Sequence, residues 1–422
     1  MNHPTVNKLV DGFVYRWQEP DFVEIEISDI TYKSGDWMSY LIARTRAPGA
    51  LPHLMEGRHN LSALQSRTAL AKSLEVKYQT RMGWSAYLEM ACVLTMRAER
   101  EGDPFIEVGA LEYDTPPLWL MTRKERGFLR LHAPNSIFGD GDAGKSTLAA
   151  LIGCAVAGGI ELVGFNPVYQ GPVLWLDWEN DKEDLDDTLK SLRRGHDEAL
   201  PTFIYRRETW PLTQTVKQIV REVERSKVAL VVIDSVGYAM GDDPESAAAV
   251  LRFTQCVRAL NTTVLMIDHV KKGGSDGKAF GSAYKHNEVR SGYELLRHQK
   301  PGDPYSIIGI YQRKANKGGY MAPFGLRVDF EDGLIRYSET DIPNEAEELV
   351  KSLSVPQRIK RVLGEATGLM NADEIADLAE VKIGQVKSRL SEMERRGEVY
   401  VTRADGYARR YGLKSDRVEV HP

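Results

Sequence analysis

The chain has 422 residues, of which 42% are hydrophobic and 27% charged, and its formal net charge is -5. That composition excludes a disordered or low-complexity chain, and the length suggests two or three domains with full apolar cores. No apolar run approaches the roughly 20 residues that a membrane helix needs, and the opening MNHPTVNKLVDGF lacks the apolar centre of a secretory signal, so a cytoplasmic protein is expected.

Cys92, Cys154 and Cys256 are scattered without CxxC spacing, which speaks against a disulfide framework and against a zinc site. With the whole chain mildly acidic, any nucleic-acid contact has to come from local basic patches.

In the first region, residues 1–125, Val23, Ile25 and Ile27 alternate with Glu24, Glu26 and Ser28, the pattern of a half-buried strand. A second strand, WMSYLIART, follows the turn signal Ser34-Gly35-Asp36, and the two predict a hairpin. Helical patterns run from Leu61 to Leu74 and from Trp84 to Arg100. A small α+β domain is expected, and no catalytic constellation is visible in it.

The second region, residues 126–345, contains SIFGDGDAGKSTLAALIG, Ser136 to Gly153. Gly139, Gly144, Lys145 and Ser146 fit G-x4-G-K-[ST], preceded by apolar Ile137-Phe138 and followed by a helix from near Ser146 through Thr147 and Leu148. In such a loop successive main-chain N–H groups and the helix N-terminus face phosphates. Gly139, Asp140, Gly141, Asp142, Ala143, Gly144, Lys145, Ser146 and Thr147 are therefore the candidate cradle for ATP, with Lys145 on the outer phosphates and Ser146 on Mg²⁺. Because the cradle is main chain, the carboxylates of Asp140 and Asp142 can point outward without opposing the phosphates.

Short apolar runs then alternate with helical segments: VLWLD (173–177), ALVVID (229–234), TVLMID (263–268) and YSIIGIYQ (305–312). Strands apolar on both faces and separated by helices predict a doubly wound α/β domain with a mostly parallel sheet, whose ligands sit beyond the carboxyl ends of the strands. Asp234 ends one run and is placed to hold the Mg²⁺ shell. Glu179, with Asp177 as second choice, ends another, where a carboxylate can deprotonate the attacking water; period-two spacing puts both on one strand face. The segment DDTLKSLRR that follows reads as a solvated charged helix.

Asp268 or His269 leaves the next strand toward the γ-phosphate. Beyond it lies a glycine-rich basic loop carrying Lys271, Lys272, Lys278, Lys285 and Arg290, suited to single-strand phosphate contact. YQRKANKGG offers Arg313, Lys314 and Lys317 at a strand end, from which a cation can reach a neighbouring subunit's nucleotide.

The order of loop, strand-end glutamate, VVIDS, strand-end histidine with lysines and late basic strand resembles the RecA-type P-loop ATPases, most closely the RepA-like and DnaB-like replicative helicases and their phage relatives. The resemblance covers about half the chain. It implies a RecA-like core with Lys145 and Ser146 on phosphates and magnesium, Glu179 as catalytic base, Asp234 on metal, His269 as sensor, Arg313 or Lys314 as finger, and a ring of six subunits. Two departures stand out: GDGDAGKS is more acidic than the usual loop, and FGSAYKHNEVRSGYEL lacks an obvious helicase DNA-binding loop.

In the third region, residues 346–422, three helical patterns (PQRIKRVLGEA, NADEIADLAE and IGQVKSRLSEMERRG) precede a hairpin turning at Ala404-Asp405-Gly406. Asn371 with Glu374 three residues on forms a capping box. The arrangement is similar to a winged helix-turn-helix, whose recognition helix would start near Lys382 and present Gln385, Lys387, Ser388 and Arg389, with Arg403, Arg409 and Arg410 in the wing.

The sequence therefore predicts an ATP-hydrolysing motor on single-stranded DNA, its further expected partners being duplex DNA through the winged helix and other copies of the chain. A recombinase or recombination mediator and an ATP-switched DNA-binding regulator are the alternatives.

Overall fold

The computed structural model describes residues 3–9, 11–46, 50–51, 53–105, 118–196, 199–243, 246–269, 288–300, 302–316, 320–330, 333–342, 353–366, 368–403 and 409–413. The chain divides into two compact units, residues 1–116 with 217–222, and residues 117–216 with 223–422. Among the described residues no helix is long and apolar enough to cross a membrane.

In the first unit, β1 (Thr5–Leu9), β2 (Gly12–Trp17), β3 (Val23–Lys33), β4 (Asp36–Thr45) and β5 (His53–Asn60) form one antiparallel sheet in sequence order, followed by α1 (Leu64–Lys77) and α2 (Trp84–Glu101). The expected hairpin is the β3–β4 centre of this larger sheet. Ile25 and Ile27 face a core shared with Trp17, Leu41, Leu74 and Trp84. Glu24 and Glu26, on the opposite face, are paired by Arg16 and Arg44, so the alternation read in the sequence corresponds to two chemically distinct faces.

The second unit opens with β6 (Trp119–Arg123) and β7 (Arg126–Arg130), an antiparallel hairpin. The expected boundary at residue 125 thus falls in the turn of a hairpin that belongs to this unit. There follow β8 (Pro134–Gly139), α3 (Lys145–Gly158), β9 (Phe165–Pro167), β10 (Val173–Asp177), α4 (Lys182–His196), β11 (Ile204–Arg207) and α5 (Leu212–Ser226). Next come β12 (Leu230–Asp234), α6 (Val236–Met240), α7 (Ala247–Ala259), β13 (Thr263–His269), β14 (Ser291–His298), β15 (Tyr305–Ala315), β16 (Phe324–Asp329) and β17 (Arg336–Thr340).

The nine-stranded central sheet has the order β11-β10-β12-β13-β8-β14-β15-β16-β17, parallel from β11 through β14 and antiparallel beyond. This is an α/β architecture with a mostly parallel sheet. Its parallel strands are apolar on both faces because both are covered: Val232 and Leu265 join a core with Leu148 and Leu192 from α3 and α4, while Phe138 and Met266 line the opposite face with Phe253 and Val257 of α7.

Two expectations need correction here. The run 305–312 lies in β15, which is antiparallel to β14; only a short turn joins them, too short for the crossover that a parallel neighbour requires. The charged segment within α4 is not solvated all round, since Leu185, Leu189 and Leu192 bury one stripe of the helix in the core.

The tail contains α8 (Val355–Glu365), β18 (Met370–Asn371), α9 (Ala372–Ala379), α10 (Ile383–Arg395), β19 (Val399–Arg403) and β20 (Arg409–Leu413), the strands pairing in the order β18-β20-β19. Ile359, Ile375, Val386, Leu390 and Tyr411 form its core. The capping box at Asn371 is made in both directions, with Asn371 Oδ1 accepting from Glu374 N at 2.9 Å and Glu374 Oε2 accepting from Asn371 N at 2.8 Å. The wing turn at residues 404–406 and the boundary near 346 lie outside the described residues.

Candidate functional site

The register of the parallel strands decides which side chains meet. His269 lies opposite Gly139, Ile267 opposite Asp234, and Asp234 opposite Asp177, so the carboxyl ends of β8, β13, β12 and β10 form one ledge. The loop from Gly139 to Gly144 leaves that ledge and feeds α3. Gly139 is required because a Cβ there would stand 2.4 Å from the Leu295 carbonyl oxygen, and Gly144 because it turns into the helix at φ +78°. Asp140, Gly141 and Asp142 are exposed, Ala143 is buried, and Ser146 and Thr147 are half-buried at the first turn of α3.

Lys145 is only 4% exposed. Its Nζ donates to the carbonyls of Gly139 (3.1 Å) and Asp140 (2.5 Å) and stands 3.5 Å from His269 Nδ1. Burial pulls the ammonium below its ordinary pKa, opposed by the charges of Asp234, Glu179, Asp140 and Asp268. A buried cation surrounded by carboxylates, at the base of a main-chain cradle, is placed to move onto a phosphate.

Asp234 ends β12 with 2% exposure, and its peptide bond to Ser235 is cis. Burial pushes its carboxyl up to about 7, with repulsion from Asp177 and Glu179 acting the same way, and Ser146 and Lys145 opposing. The Ser146 hydroxyl favours the charged form of this carboxylate, while Asp234 Oδ2 is buried with no hydrogen-bond partner. An orphaned buried carboxylate oxygen beside a hydroxyl at the phosphate loop fits a divalent cation, and Ser146 and Asp234 are the residues that would hold Mg²⁺. Among the described residues no group of three or more His, Cys, Asp or Glu is placed to hold a metal ion.

Glu179 stands two residues past the end of β10, so the expectation that it shares a strand face with Asp177 does not hold. Asp177 Oδ1 accepts from the N–H groups of Glu179 (2.9 Å) and Asn180 (2.8 Å), shaping the turn that presents Glu179. Glu179 Oε1 accepts from Ser235 Oγ and lies 3.4 Å from His269 Nε2. The hydrogen bond from His269 holds this carboxyl below its ordinary pKa, with burial working against it. Asp268 accepts its neighbour's main-chain N–H at 2.9 Å. The structure thus gathers Lys145, Ser146, Glu179, Asp234 and His269 into one site.

Arg313 is placed elsewhere. It pairs through Nη2 with the buried carboxylate of Glu294 at 2.6 Å on the adjacent strand. Lys314 lies opposite Gly292, which is level with Ser136, so both residues are toward the amino end of β8 and away from the loop. Arg290 is exposed at that same end, its N–H bonded to the Pro134 carbonyl at 2.8 Å. Gln385, Lys387 and Arg389 are exposed on α10, as are Arg409 and Arg410 on β20; Arg389 pairs with Glu392 at 2.7 Å and Arg409 with Glu394 at 3.4 Å. Lys271, Lys272, Lys278, Lys285 and Lys317 lie outside the described residues, as does the side chain of Arg403.

Two residues at the site escaped the sequence reading. Ser235, within VVIDS, holds Glu179 across 56 positions of sequence. Arg297 on β14 donates to the Asp142 carbonyl at 2.9 Å and braces the phosphate loop from outside. The seryl position was visible as the residue after Asp234; the arginine carried no signal because β14 was not recognised as a strand. Ser235→Ala is expected to lower turnover about tenfold while leaving nucleotide affinity unchanged, read by steady-state kinetics beside a binding titration.

Residues 105–275 match the family model described as AAA domain, a span of less than half the chain that contains Lys145, Ser146, Glu179, Asp234 and His269. No curated protein matches the chain. Among solved structures, the chain is similar to a KaiC-like protein from the hyperthermophilic archaeon Pyrococcus horikoshii OT3, at 16% identity and a TM-score of 0.36, with 52% of this chain and 93% of that one covered. Residues 105–275 are therefore similar to a P-loop ATPase domain of the AAA type, and such a domain implies the binding and hydrolysis of ATP with Mg²⁺.

Proposed function

We propose that the protein is an ATP-hydrolysing, DNA-associated motor, a helicase-like replication ATPase of a plasmid, phage or mobile element that acts on single-stranded DNA. The observation that carries the catalytic half is the gathering of Lys145, Ser146, Glu179, Asp234 and His269 at the carboxyl ledge of one parallel sheet. The loop N–H groups and Lys145 bind the phosphates, Ser146 and Asp234 hold Mg²⁺, and Glu179, oriented by Ser235, takes a proton from the attacking water. His269 lies within reach of both the lysine and the base. The magnesium ion, when bound, neutralises charge on the phosphoryl oxygens.

The tail supports the DNA half. Three helices with a three-stranded antiparallel sheet are the arrangement of a winged helix, and α10 exposes Gln385 and Arg389, four residues apart on one face, with Lys387 exposed on another. Assembly into a homo-oligomer, a hexamer by the family resemblance, would bring Arg313 or Lys314 toward a neighbour's nucleotide. Arg313 would have to exchange Glu294 for that phosphate.

A forked duplex with a single-stranded arm tests the reading. The motor displaces the strand in the presence of ATP and hydrolyses ATP faster when single-stranded DNA is added. Nucleotide-dependent binding to one duplex sequence with no displacement and no stimulation would replace the motor by an ATP-switched regulator.

A further inference from the structure

His269 stands between the lysine of the phosphate loop and the carboxylate that faces water, and its two ring nitrogens face these different partners. The Lys145 ammonium has three N–H donors and no acceptor. Two of them go to the Gly139 and Asp140 carbonyls, and the remaining contact is His269 Nδ1 at 3.5 Å. Nδ1 is therefore the unprotonated nitrogen, and the ring proton sits on Nε2, which faces Glu179 Oε1 at 3.4 Å. The other polar groups here are already engaged: Asp268 Oδ1 accepts from the main-chain N–H of His269, and Ser235 Oγ donates to the same oxygen of Glu179. Both imidazole contacts are long, so they are weak and easily exchanged.

We propose that Lys145, His269 and Glu179 form a hydrogen-bonded chain that reports the position of the lysine to the carboxylate. With Lys145 folded onto the loop carbonyls, His269 is held as the Nε2–H tautomer against Glu179. A nucleotide phosphate draws Lys145 away, Nδ1 loses its donor, the ring is free to turn, and Glu179 is left with Ser235 alone. His269 is in this sense a positioning residue acting through Glu179. The inference rests on the nucleotide reading given above, but the tautomer itself does not.

Linkage gives a test with a definite sign. If bound nucleotide must take Lys145 from His269, removing the imidazole makes that step easier, so ADP, which has no γ-phosphate for His269 to touch, binds tighter. Calorimetric titration with Mg·ADP is expected to show about threefold higher affinity for His269→Ala than for the unmodified protein. His269→Asn, whose Oδ1 can stand in for Nδ1 as acceptor, is expected to bind ADP as the unmodified protein does. Unchanged or weaker binding by the alanine variant overturns the chain.

Nitrogen NMR of imidazole-labelled protein without nucleotide reads the tautomer directly, with the His269 signal identified by its loss in His269→Asn. The proton is expected on Nε2, and Lys145→Met is expected to give a mixture of tautomers. A signal unmoved by Lys145→Met overturns the proposal. Should the protein bind no ADP at all, the ATPase reading fails, and the NMR measurement still decides the chain.

Discussion

Lys145→Ala is expected to reduce ATP turnover by about 10³-fold or more and to weaken nucleotide binding in the same variant, because it removes a cation buried at the foot of the cradle. The effect has two parts. The phosphates lose a charge-assisted contact in a site shielded from water. The carboxylates of Asp234, Glu179, Asp140 and Asp268, all of which act on the lysine, lose their shared counter-charge and repel an anionic ligand. A thermal melt beside the kinetics separates this from unfolding, and a variant that keeps its melting temperature and normal turnover would remove Lys145 from the mechanism.

Glu179→Gln should behave differently, lowering turnover by about 10²- to 10⁴-fold with ATP affinity nearly unchanged, since the amide keeps the shape and cannot accept the water's proton. The surrounding geometry supports a conservative replacement. Ser235 and His269 both present hydrogen to Oε1, which the amide oxygen of glutamine can also accept. Asp177, the second candidate, is tied by two main-chain N–H groups to the turn that carries Glu179, so its replacement disturbs position as well as chemistry. Single-turnover hydrolysis beside equilibrium binding checks the split. Loss of binding together with rate would assign Glu179 to nucleotide recognition, and full activity would move the base elsewhere.

What could be seen in advance follows from how local each signal is. The phosphate loop is encoded within eight residues, Gly139 to Ser146, because glycine spacing and the following helix build the cradle from adjacent main chain. Asp234 and His269 were visible as polar residues terminating apolar runs, which is where a buried parallel strand leaves the sheet. The antiparallel half was harder. SGYELLRH shows no alternation because Ser291–Leu295 of β14 are buried on both faces of the sheet, and its partner β15 looks like another parallel strand until the short connection between them is known. The Arg313–Glu294 pair depends on that register and could not be inferred from either segment alone.

The first unit illustrates the same limit. Its central hairpin follows from the alternation at Val23–Ser28, but β1, with the sequence TVNKL, and β5, with HLMEGRHN, are sheet edges whose mixed polarity leaves no periodic trace. In the tail, by contrast, the capping box at Asn371 and the apolar spacing of IGQVKSRLSEM are local, and both mark observed helices.

The central claim is that main-chain amides and Lys145 between Gly139 and Thr147 grip a nucleoside triphosphate. Calorimetric titration of the full chain with a slowly hydrolysed ATP analogue and Mg²⁺ tests it most directly. One saturable site per chain, lost in Lys145→Ala, is the result expected; no heat of binding with either adenosine or guanosine triphosphates would contradict it.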